Sequence, residues 1–321
     1  MITHSRSAVS RLITGVIAAL ALLLSGCAVN EDGAPQRAAD EPLTVFATTM
    51  YLADAVKRIA PDVEVTTMVG PGADPHTYQL STKDIERLNS ADVVLWNGLH
   101  LEAVAGKVLA EQGDRQLAVA EQLPTDDLIK AGDDDDFGGM YDPHVWNDPD
   151  LWSQVVEFSA EFLGKHDPDN AEQYLQNAKE FQQDIAELDA KAQKQLDTIP
   201  EDRRVVITGH DAFNYLGRAY NLEIRATDFI STEAELSAAE LSELADVIAE
   251  HEIPVIFQDN QKNPQAITSL KEAVTARGGA VEVSSEELFA DSMGPEAPVD
   301  TYLGAFAHNV ETIAEALGET E

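Results

Sequence analysis

The amino-acid sequence predicts an α/β protein of two lobes, each a parallel sheet flanked by helices, joined by one long interlobe α-helix. Three observations carry this prediction. First, short, nearly continuous apolar runs alternate with helical patterns on both sides of the chain's midpoint, the grammar of parallel strands covered on both faces. Second, the stretch Asp167–Thr198 places Ala171, Tyr174, Leu175, Ala178, Phe181, Ile185, Leu188, Ala192 and Leu196 at spacings of three and four, one stripe of an amphipathic helix. Third, 321 residues with 44% hydrophobic content are enough to bury the core of two domains.

In chain order, residues 43–48 (LTVFAT) and 63–69 (VEVTTMV) read as strands flanking a helix over Met50–Ile59, one β-α-β unit. Ser81-Thr82-Lys83-Asp84 is a capping-box pattern that opens a helix to about Asn89. A buried strand at 92–97 (DVVLWN), a helix over 101–112 and a strand at 117–120 complete the first lobe, residues 43–166. Asp167 is placed to cap the linking helix (167–199), Pro168 suits its first turn and Pro200 stops it. About 30 residues at ~1.5 Å each make a rod of roughly 45 Å, stiff enough to restrict hinge bending to a modest closure. The second lobe, 200–321, repeats the pattern with strands at 204–208, 222–226, 254–258 and 280–283 and helices over 212–220, 237–250, 264–277 and 301–317. No repeat is visible at the level of the residues themselves.

The N-terminus has Arg6 and Arg11, an apolar run from Leu12 to Leu24, and then Ser25-Gly26-Cys27, which reads as a signal peptide over residues 1–26. The apolar run is short for a membrane span. Cys27 is the only cysteine, which excludes an intrachain disulfide, and its setting after Leu-Ser-Gly resembles the lipobox of bacterial lipoproteins. That resemblance implies cleavage before Cys27, lipidation of the cysteine, and a polar tether over 27–42. The formal net charge of −37 argues against nucleic acid as a partner and raises the local concentration of cations.

Three histidines fall in loops, not on helix faces: His76 in Gly70–His76, His144 in Tyr141–Trp146, and His210 directly after the strand at 204–208. Asp291, in the loop after the strand at 280–283, adds a carboxylate. Three imidazoles and one carboxylate form a closed shell for a borderline divalent metal. The clefts at the C-terminal ends of parallel strands are where such sheets bind ligands. His100 follows the strand at 92–97 and stands in reserve as a ligand, and Asp74, Asp142 and Asp211 lie beside the histidines as acceptors for ring N–H groups. His166, His251 and His308 sit on or beside helices, and His4 lies in the signal.

The segments GPGADPHTY, RLNSADVVLWNGLHLE, YDPHVWNDPDLW, VVITGHDAFNYLGRAY, ELFADSMG and TYLGAFAHNVETI together resemble the cluster A-I solute-binding proteins, the metal-binding lipoproteins of manganese and zinc ABC importers. The resemblance runs from Leu43 to Leu317. It implies that His76, His144, His210 and Asp291 are the ligands, two from each lobe, and that the long helix is the interlobe backbone. It also implies Mn2+ or Zn2+ as the transported ligand, an ABC permease as partner, and a monomer held to the membrane through lipid on Cys27. Many zinc-specific members carry a His-rich loop before the second ligand, where this chain has Gly132–Gly139 with four consecutive aspartates, Asp133–Asp136. Some manganese-specific members have glutamate at the position of His210. The wording of the motifs puts manganese slightly ahead as the physiological metal, while zinc should bind the N/O ligands more tightly in vitro. The rival readings are a secreted zinc metallohydrolase, set against by the lack of HExxH, and a surface adhesin.

Overall fold

The computed structural model describes residues 41–131, 140–228, 236–260 and 264–318. The expected signal peptide, Cys27, nearly all of the tether and the Asp133–Asp136 run lie outside these residues. Among the described residues, no helix is long and apolar enough to cross a membrane.

Residues Pro42–Glu321 form one compact unit built on two four-stranded parallel sheets. In the first lobe β1 (Thr44–Ala47), β2 (Glu64–Thr67), β3 (Val93–Trp96) and β4 (Gln116–Ala118) lie in the order β2-β1-β3-β4. In the second, β5 (Val205–Thr208), β6 (Glu223–Ala226), β7 (Val255–Phe257) and β8 (Glu282–Val283) take the equivalent order β6-β5-β7-β8. All six pairings are parallel. The strands at the middle of each sheet are the apolar runs of the sequence; β3 is buried at all four positions, as a strand covered on both faces must be.

The helices are α1 (Met50–Ile59), α2 (Thr82–Ser90), α3 (Gly106–Ala110), α4 (Pro149–His166), α5 (Ala171–Leu196), α6 (Asn214–Tyr220), α7 (Ala238–Glu250), α8 (Pro264–Ala276) and α9 (Tyr302–Leu317). The capping boxes at Ser81 and Ser237 both form, with Asp84 and Glu240 reaching back to the cap backbone. The helix expected over 101–112 is shortened to α3, because Gly98, Leu99 and His100 all adopt positive φ and turn the chain first.

The long helix differs from its expected form in two ways. It begins at Ala171, and Asp167 does not cap it. Asp167 instead terminates α4, its N–H donating to the Leu163 carbonyl while its carboxylate accepts from Asn170 Nδ2 and Tyr174 Oη. The turn at 167–170 thus joins α4 and α5 into a helical hairpin, and α5 has 26 residues, roughly 39 Å at about 1.5 Å each. Helix α4 was not anticipated from the sequence, although its buried residues, among them Leu151, Trp152, Val155, Val156, Phe162 and Leu163, recur at helical spacing on one face. The stripe on α5 is buried from Tyr174 to Leu196 apart from Leu175, which points outward and is 37% exposed.

Helix α5 packs against α1 and α4 of the first lobe and α9 of the second, so it is the element that joins them. Phe181 from this helix and Tyr302 from α9 lie in one apolar cluster with Tyr51, Trp146 and Trp152 of the first lobe. Asp54 of α1 accepts the Tyr302 N–H at 3.0 Å, tying the start of α9 to the other lobe.

Candidate metal centre

Each sheet has its topological switch point beside its first strand, β1 or β5, where crossovers run to opposite sides and leave a crevice at the strands' C-terminal ends. Loops from those ends carry the four predicted residues to one place. His76 arrives on the turn after β2 and His144 from the segment between β4 and α4, followed by a 3-10 turn over Val145–Asn147. His210 lies two residues past β5, and Asp291 stands in the irregular segment between β8 and α9.

All four are buried, and one donor atom of each falls within 4.8 Å of every other. His76 Nε2 and His210 Nε2 lie 3.3 and 3.2 Å from His144 Nε2. Asp291 Oδ2 is 3.3 Å from both His76 Nε2 and His210 Nε2, and Oδ1 is 3.2 Å from His144 Nε2. A tetrahedral ion with bonds of about 2.0–2.1 Å holds its donors about 3.3 Å apart, the spacing seen here. The three imidazole nitrogens face one another and a carboxylate, an arrangement that a cation at their centre relieves.

The surrounding groups hold each of the three histidines. Asp142 Oδ1 accepts both the His144 backbone N–H at 2.9 Å and, at 2.7 Å, its ring Nδ1, leaving Nε2 to face the centre. Asp142 is held in turn by Asn214 Nδ2 on Oδ2 and by Tyr215 Oη on its carbonyl, both from α6 of the second lobe. Asp259 Oδ2 accepts the His210 N–H at 2.7 Å, and a Cβ on Gly209 would meet that oxygen at 2.4 Å, so a side chain there would displace Asp259. Asp74 accepts the His76 backbone N–H at 2.8 Å.

Electrostatics divides the three histidines. Burial depresses His76 below its ordinary value. At His144 burial acts the same way, but the carboxylates of Asp142 and Asp291 outweigh it and push the imidazole up to about 10. His210 is raised more modestly, Asp291 overcoming its burial. Burial alone would raise Asp291; His210 and His144 hold it well below the usual carboxylate range. Burial, with Asp142 next to it, pushes Asp211 up to about 6, and Asp211 accepts from Asn214.

His100 is exposed, in the positive-φ turn after β3, and does not join the four. His166 ends α4 with its ring against Phe162, His251 follows α7 as its C-cap, and His308 lies on α9 with Nε2 3.0 Å from the Glu287 carbonyl. The residues around the site that sequence reasoning missed are Asp259, Asn214, and Tyr51 and Trp146, which donate to the Ala290 carbonyl beside Asp291. Asp259 could have been found from its place just past an apolar strand; the others act through contacts between lobes, which no local pattern encodes.

Residues 45–316 match the family described as zinc-uptake complex component A, periplasmic. The chain is similar to the manganese-binding lipoprotein MntA of Bacillus subtilis, at 38% identity over 92% of this chain and 95% of that one. It is similar to the zinc-binding protein TroA of Treponema pallidum, at 38% identity over 89% of this chain and 92% of TroA. The solved structure of the periplasmic zinc-binding TroA from Treponema pallidum superposes with a TM-score of 0.82 at 38% identity, covering 87% of this chain and all of that one.

Proposed function

The chain belongs to the family of the periplasmic component A of zinc-uptake complexes, and on that footing we propose that it is the metal receptor of an ABC importer. It captures one divalent transition metal, manganese or zinc, between its lobes and passes it to the permease. The observation that carries this reading is the convergence of three imidazole Nε2 atoms and the Asp291 carboxylate, from both lobes, at the spacing of a tetrahedral shell. The assignment of His76, His144, His210 and Asp291 as ligands is part of the proposal. It is supported by their burial and by the carboxylate that orients His144.

Capture is coordination: neutral imidazoles and ionised Asp291 replace the ion's water shell, and the bound ion links ligands that belong to different lobes. Four buried protein donors close a tetrahedron, whereas a catalytic zinc keeps an exchangeable position, so the site suits carriage of an ion more than hydrolysis. The cysteine at position 27, set as in a lipobox, supports lipid anchoring on the outer side of the membrane, with the receptor acting as a monomer.

Metal analysis of the purified, metal-stripped protein after exposure to Mn2+ or Zn2+ tests the reading. One equivalent of either ion is expected, with zinc displacing manganese in competition. Uptake of neither ion contradicts the proposal.

A further inference from the structure

Asp291 stands in the irregular segment between β8 and α9, and that segment is held from two directions. Its own lobe grips it with two buried amides. Asn309 of α9 accepts the Phe289 N–H at 2.8 Å and donates to the Phe289 carbonyl at 2.8 Å. Asn260 accepts the Ala290 N–H at 3.2 Å and donates to the carbonyl and hydroxyl of Ser292, each at 2.8 Å.

The other lobe reaches the same peptide units. Tyr51 Oη donates to the Ala290 carbonyl at 2.9 Å, and Trp146 Nε1 donates to the same oxygen at 3.1 Å. Gly72, at φ +71° in the His76 loop, donates its N–H to Ser292 Oγ at 2.9 Å. Tyr51 and Trp146 are themselves stacked, with centroids 4.9 Å apart and planes at 19°, and both are buried. Trp146 sits two residues after His144, with its ring edge-on to that imidazole at 5.3 Å.

We propose that Tyr51 and Trp146 are positioning residues for the metal: they clasp the Ala290 carbonyl across the lobe boundary and so aim the neighbouring Asp291 carboxylate at the three histidines. The inference rests on the metal-receptor reading and deepens it. One carbonyl accepts from two donors of the first lobe, the Tyr51 hydroxyl lying also 3.3 Å from the Phe289 carbonyl, while the N–H of Ala290 is fixed to the second lobe through Asn260. The peptide plane before Asp291 therefore gains two further anchors when the lobes are together. Parting the lobes breaks both donor bonds and the Gly72 bond at once, so closure and carboxylate placement become a single event. The clasp never touches the ion. It acts on how long the ion stays, which is a dissociation-rate effect.

Zn2+ is the probe, its affinity read by chelator competition and its release by stopped-flow chelator capture, on the protein lacking residues 1–26. Tyr51→Phe, which removes one hydroxyl and keeps the ring, should weaken zinc binding about five-fold, the loss of one buried hydrogen bond, through faster release with unchanged capture. Trp146→Phe should act in the same direction. In an Asp291→Ala background Tyr51→Phe should have no further effect, because the group it positions is gone. A Tyr51→Phe protein with native circular dichroism and unaltered zinc affinity and release overturns the clasp alone. The same penalty persisting in the Asp291→Ala background also overturns it, marking a role that does not pass through Asp291. Wild-type protein that takes up no zinc overturns the receptor reading and the clasp together.

Discussion

The ring Nδ1 of His144 lies 2.7 Å from Asp142 Oδ1. The carboxylate selects the tautomer that leaves Nε2 facing the centre, and it makes that nitrogen a stronger donor to a metal. Replacing Asp142 by Asn keeps the shape while removing the charge and offering an amide N–H in place of an acceptor. Asp142→Asn should weaken metal binding about 10–100-fold with the fold intact, as read by chelator competition. Affinity equal to wild type would show that the orientation of His144 is set elsewhere.

The same pair predicts a pH dependence. His144 is pushed from 6.5 up to about 10 because Asp142 and Asp291 outweigh its burial. In the metal-free protein the favourable contribution of the protonated imidazole is complete below its unfolded value of about 6.5 and is lost as pH rises through about 10. Metal binding requires the unprotonated Nε2, so uptake at pH 7 should release about one proton or more, and affinity should rise with pH. Thermal midpoints across pH 6.5–10 should fall for the metal-free form, and the gap to the metal-loaded form should widen. A constant gap, with no proton released in calorimetry across buffers of different ionisation enthalpy, would contradict this.

The joining helix makes a separate prediction about stability. Phe181 is 1% exposed, meets Tyr302 edge-on with centroids 6.4 Å apart, and carries the Arg58 guanidinium 4.8 Å above its ring. Phe181→Ala should cost about 3–5 kcal/mol in denaturant unfolding, since the packed cluster around it can collapse only in part. Metal stoichiometry should stay at one per chain. A loss under ~1 kcal/mol would mean that the helix is not the shared core of the two lobes.

Much of this organisation was legible in the sequence because it is written in local patterns. The middle strands of both sheets announce themselves as apolar runs, the cap at Ser81 as a box, and α5 as a single stripe. The four candidate ligands stand out because loops carry them just where parallel sheets bind ligands. What escaped was set by tertiary packing. Helix α4, buried along one face, was missed, and its existence converts Asp167 from an N-cap into the terminator of the preceding helix. Asp259 bonds His210, Asn214 bonds Asp142, and Tyr51 and Trp146 bond the Ala290 carbonyl, across spacings of 49 to 239 residues that no window of sequence encloses.

X-ray absorption fine structure of the zinc-loaded protein tests most directly whether His76, His144, His210 and Asp291 together hold the ion. The geometry predicts three imidazole nitrogens at about 2.0–2.1 Å and carboxylate oxygen at about 2.0–2.2 Å, with imidazole outer-shell scattering that falls by one third in His210→Ala. A first shell made mainly of water or other oxygen, with imidazole scattering unchanged by His210→Ala, would contradict the account.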